Sequence, residues 1–134
     1  MATTTDARRE EIVASFEDGT LANCSFGHAD HLFVIWSLVR LHGTLGALAR
    51  FEAGIRRVTI AGGVPEKYHA TVTHALGVIV GERVVATPGA TWDDFASANP
   101  DLFEWPSPVL AELYPNGILD TADARAHFLL PEPG

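Results

Sequence analysis

Six histidines are the residues of this chain best suited to chemistry. His28 and His31 form an HxxH pair. At i, i+3 on a helix their side chains share one face, with Cβ atoms about 5–6 Å apart, close enough to share a metal ion or a ligand. His69 stands three residues after Glu66. On one helix that pair would present a carboxylate and an imidazole side by side, as metal-holding bundles do between facing helices. The expected site has His28, His31 and His69 as catalytic groups and nitrogen ligands, with Glu66 as an oxygen ligand or hydrogen-bond partner. Three imidazoles with an open position suit one divalent ion, zinc, iron or copper. Without metal, a histidine pair in unlike environments can act as general acid and base in a cyclisation, isomerisation or condensation.

Tyr68, Thr71 and Thr73 surround His69, and Trp36 lies one turn beyond His31 and Leu32. These four are the expected substrate-binding residues. Each feature also has a plainer explanation. An HxxH pair arises often by chance, and Glu66 suits a helix start through the dipole alone. A threonine inside a helix often bonds the carbonyl four residues back, and an aromatic at helical spacing is usually core. His31 fits equally as a core histidine bonded to a carbonyl. His74 lies five residues after His69, about 140° around a helix, so those two cannot share one centre. His42 reads as a helix-end cation, and His127 lies too near the terminus to enter the site. Asp30 points away from the paired histidines and reads as a solvated or helix-start charge. Phe103-Glu104-Trp105 suits a lid or a loop anchor. Cys24 has no neighbour that would lower its thiol pKa and reads as structural.

The elements that hold these residues read as helices. Apolar positions at Ile12, Val13 and Phe16 predict a helix from about Asp6 to Asp18. A second, apolar almost all round, runs from about His28 to His42 and should be central. Gly43 suits its end, and Thr44 can cap a third helix to about Ala61 that carries Leu45, Leu48, Phe51 and Ile55 near i, i+3, i+4 spacing. Gly62-Gly63 ends it. Pro65 suits the first turn of a fourth helix carrying His69. The valine-rich stretch 72–85 lacks alternation and stays helical despite its strand propensity. Thr91 caps a short helix to Ala98, and prolines 106, 108 and 115 divide the remainder into short helices near 108–114 and 122–128. The expectation is all-α: a single compact bundle of about four main helices plus short C-terminal helices, with residues 1–5 and 131–134 flexible.

Composition narrows the classes. The chain has 134 residues, 47% of them hydrophobic, enough for one domain with its own core. Nine Lys and Arg against 17 Asp and Glu leave a net charge of −8. That balance argues against nucleic acid or an anionic membrane surface as partner. One cysteine excludes an internal disulfide. No apolar leader pattern opens the chain, and the strongly apolar run His31–Leu41 is too short to span a bilayer. The expected setting is cytoplasmic, without membrane contact, with a small-molecule substrate as partner; the apolar content is compatible with a homodimer. Phosphate-loop, dinucleotide-binding and hydrolase-elbow motifs are absent.

Several stretches together carry a resemblance: Phe16-Glu17-Asp18-Gly19-Thr20-Leu21, Phe26-Gly27-His28-Ala29-Asp30-His31-Leu32 with Trp36, and Gly63 through Thr73 with its Lys67-Tyr68-His69-Ala70-Thr71-Val72-Thr73 core. Phe95 through Leu102, Tyr114 and Leu129-Pro131 extend it. From about Phe16 onward the chain resembles a group of small bacterial all-α proteins with F-x-H-x-x-H-L and K-Y-H-x-T-x-T motifs, to which no reaction is assigned. The resemblance implies a small helical protein with His28, His31, His69, Thr71 and Thr73 on the motif positions. Such proteins often carry glutamate at the position of Ala70 and a bulky aromatic at that of His74, so this chain departs there. The function expected first is a small-molecule enzyme with a pocket between two helices, using one divalent metal. A metal-free acid–base enzyme and a non-catalytic binding or partner protein are the alternatives.

Overall fold

A computed structural model describes residues 4–18 and 27–131, and every regular element in it is helical. The second helix, α2 (His28–Ala61), organises the rest. It buries Leu32 through Val39 without interruption, the result of an apolar surface on all sides. At its start the Asp30 carboxylate accepts the Gly27 N–H at 3.2 Å, so Asp30 is a capping charge. Gly43 breaks α2 with φ 76° and ψ 172°, a conformation open mainly to glycine. The second arm turns back alongside the first, so that the His31 and Phe51 rings meet edge to face with centroids 6.3 Å apart.

Two helices pack on this hairpin through glycines. Helix α1 (Thr4–Asp18) inserts Phe16, stacked on Phe51 at 5.6 Å, against the backbone of Gly54. A Cβ on Gly54 would stand 2.0 Å from the Phe16 ring. Helix α3 (Ala70–Ala86) lays Gly77 on Leu48 and Gly81 on Thr44. The stretch 72–85 is thus helical, in agreement with its lack of alternation. Arg83 leaves α3 to pair with Asp101 at 2.9 Å and with the Asn99 side-chain oxygen at 2.7 Å. The guanidinium holds the Asp101 carboxyl below its usual range.

Helix α4 (Trp92–Ala98) starts where expected, with the Thr91 hydroxyl accepting the Asp94 N–H at 3.1 Å. It carries Trp92 and Phe95 onto Phe33 and Trp36. A 3-10 turn (Pro100–Phe103), α5 (Pro108–Leu113), a second 3-10 turn (Ile118–Asp120) and α6 (Ala122–Ala126) complete the chain.

The region around His69 departs from expectation. Pro65 opens only a three-residue 3-10 turn, Pro65–Lys67. Tyr68 and His69 are both extended, and α3 begins after them with His69 as its N-cap. Glu66 and His69 therefore never share a helical face. Residues 4 and 5 are helical rather than loose, while the expected flexibility of 1–3 and 132–134 lies outside the described residues, as do Cys24 and the 19–26 connection. By length and composition alone α2, taken whole, is long and apolar enough to cross a membrane, but Gly43 divides it into two arms and half of its most apolar stretch is buried within the fold.

Candidate functional site

A cavity of about 460 Å³ lies between the two arms of α2, the start of α3 and the C-terminal segments. That volume falls in the range of about 300–1,000 Å³ common to small-molecule sites. Its apolar wall is periodic: Phe51, Ile55 and Val58 from the second arm of α2, and Val72 and Leu76 from α3. His28 and His31 enter from the first arm, His69 and Thr73 from α3, and Trp105, Lys67 and Arg125 from the loops and α6. The structure thus brings the three expected histidines and Thr73 around one space.

The histidines differ in what their ring nitrogens are doing. His69 accepts the Val72 N–H at Nδ1, 3.2 Å, and donates from Nε2 to the Leu119 carbonyl at 2.7 Å. Both nitrogens are engaged, which fixes a neutral tautomer and makes His69 a structural cap. His28 donates from Nε2 to the Leu102 carbonyl at 2.7 Å, and its ring packs against Trp105 with centroids 4.9 Å apart. His31 is half-buried. Desolvation, with a smaller contribution from neighbouring His28, lowers its pKa from 6.5 to about 4, against a smaller upward pull from Asp30. Near neutral pH it is an uncharged imidazole in a largely apolar chamber.

The other expected residues divide. Thr73 lines the cavity, buried, and among the described residues no hydrogen bond reaches its hydroxyl; the His69 carbonyl is instead bonded by the Thr73 backbone N–H at 3.0 Å. Thr71 is not a ligand-binding residue. Its fully buried hydroxyl sits 2.8 Å from the Ala124 and His127 carbonyls and accepts the Leu129 N–H at 3.1 Å. Trp36 is core, 2% exposed within the α4 aromatic cluster, with Arg40 over its ring. Tyr68 faces away from the cavity; its hydroxyl donates to Glu52 at 3.3 Å and Arg56 covers its ring at 4.1 Å. Burial, and then Glu52, push its pKa up.

Glu66 is exposed in its turn and does not line the cavity; its contribution is a backbone carbonyl that accepts from Arg125 at 2.6 Å. The proposed ligand set of His28, His31, His69 and Glu66 does not converge, and among the described residues no three His, Cys, Asp or Glu side chains are grouped to hold a metal. Lys67 and Arg125 escaped the sequence reading. They stand 58 residues apart in the chain, and only the docking of the C-terminal segment on Thr71 brings them to one mouth. The apolar wall left a fainter signal, the i, i+4, i+7 spacing of Phe51, Ile55 and Val58.

Fold and site together define an all-α protein with a histidine-lined apolar cavity. No family model, curated protein or solved structure matches the chain.

Proposed function

We propose that this protein is a small-molecule enzyme of the metal-free acid–base kind, with His31 as the group that exchanges a proton or a hydrogen bond with a ligand in the cavity. The observation that carries this is His31 itself, an uncharged imidazole desolvated beside a 460 Å³ chamber. A neutral imidazole can accept a proton from an acidic C–H or O–H, or donate a hydrogen bond to a developing enolate oxygen, without first losing a proton of its own. His28 stands one turn away, fixed by Leu102, and Thr73 offers a hydroxyl from the opposite wall. Isomerisation, cyclisation and condensation of an apolar molecule fit this equipment.

A three-imidazole metal centre fits less well, because both nitrogens of His69 and one of His28 already bond the backbone. A non-catalytic binding protein is the second reading. It is favoured by the weak basicity that a pKa of about 4 gives His31.

The test is to incubate tag-free protein, with and without chelator, in a bacterial metabolite extract and follow the mixture by mass spectrometry. A substrate–product pair should change with wild type in both conditions and stay unchanged with His31→Gln. Co-purification of an unaltered ligand, with no mass feature changing, would replace the enzyme reading with the binding one. Turnover abolished by chelator would restore the metal.

A further inference from the structure

The charge around the cavity runs opposite to that of the chain. The protein carries 17 acidic residues against nine Lys and Arg, yet among the described residues no Asp or Glu lines the cavity, and Lys67 and Arg125 both do. Three other cations of the fold are neutralised: Arg50 by Glu17, Arg56 by Glu52 and Arg83 by Asp101. Lys67 and Arg125 have no carboxylate partner among the described residues. The single bond from Arg125 to the Glu66 carbonyl holds its guanidinium in position and leaves its other N–H groups available. Two cations thus stand at the mouth of a chamber whose wall is Phe51, Ile55, Val58, Val72 and Leu76.

We infer that the cavity takes an apolar organic acid, its hydrocarbon body against the α2–α3 wall and its carboxylate on Arg125 and Lys67. This rests on the proposal that the cavity is a small-molecule site and names the class of molecule. An arginine fork matches a carboxylate with two parallel hydrogen bonds, and the lysine adds a point charge from the other side. The apolar wall supplies affinity without regard to charge, so the cations decide which headgroup is accepted.

The test uses three probes of one skeleton: 4-phenylbutanoate, 4-phenylbutanol and 4-phenylbutylamine, titrated calorimetrically into the full chain. The carboxylate should bind at least tenfold more tightly than the alcohol, and the amine least of all. Lys67→Met, at an exposed position, should narrow the acid–alcohol difference severalfold while leaving the alcohol unchanged. Lys67→Glu should move the preference toward the amine, and Arg125→Met, checked for folding by circular dichroism, should narrow it as Lys67→Met does. Equal binding of all three probes, or an acid preference that survives both Met variants, would overturn the headgroup assignment and leave the small-molecule site standing. Failure of all three to bind would overturn both.

Discussion

The protonation of His31 is tied to folding. In the unfolded chain its pKa is the ordinary 6.5, while in the folded protein burial holds it at about 4. Between those values the unfolded chain binds the extra proton, so stability is greatest above pH 6.5 and falls as pH drops toward 4, below which both states are charged. The gap corresponds to about 3 kcal/mol. Urea midpoints measured from pH 7.5 to 4 should fall more steeply for wild type than for His31→Gln; parallel profiles would show that His31 is not desolvated in the folded state. At this scale His28, His31 and Thr73 reach the cavity wall as their spacing suggested, because the i, i+3 step from His28 to His31 and the four-residue step from His69 to Thr73 are local properties. It was a poor guide to His69. The bonds that occupy that ring reach Leu119, 50 residues away, and its capping role belongs to a residue type outside the usual Ser, Thr, Asp and Asn.

Among the elements, the C-terminal segment depends on one side chain. The Thr71 hydroxyl, itself fully buried, joins α3 to the carbonyls of Ala124 and His127 and to the Leu129 N–H. Thr71→Val keeps the shape, removes those partners and leaves backbone groups unsatisfied, at a cost of about 2–4 kcal/mol. Thr71→Ser should retain most of that stability. Thermal unfolding of the three proteins checks the order, and a valine variant as stable as wild type would refute the role. Helix existence was legible in the apolar spacing, and some boundaries were too: Gly43 broke α2 where its position suggested, and Thr91 capped α4. The start of α3 was not legible. Pro65 and Glu66 carry the signals of a helix start, but the helix they begin lasts three residues, and the chain then runs extended through Tyr68 and His69.

For the whole molecule, the packing of α1, α3 and α4 onto the two arms of α2 ties distant parts of the chain to one core. Trp36 and Trp92 lie together at the α4 end, whereas the helical signal comes from every element. Denaturation followed by tryptophan fluorescence and by circular dichroism should therefore give superimposable transitions. Loss of helical signal ahead of fluorescence would mean that α1, held by Phe16 on Gly54, leaves separately. The overall class was legible because it rests on periodicity summed along the chain; a space beside His28, His31 and His69 was anticipated, but its size and its Lys67 and Arg125 were not, since they depend on distances between elements that no local pattern encodes. The grip of Thr71 on the C-terminal segment has one more consequence, a kinetic one. The Leu129 amide is tied to that hydroxyl, on the same segment that carries Arg125 to the cavity wall. Its hydrogen exchanges with solvent when the segment lifts. Deuterium uptake at this one amide thus reports how often the wall opens, and at a pH high enough that every opening leads to exchange its rate is the opening rate, the ceiling for a molecule departing past the segment.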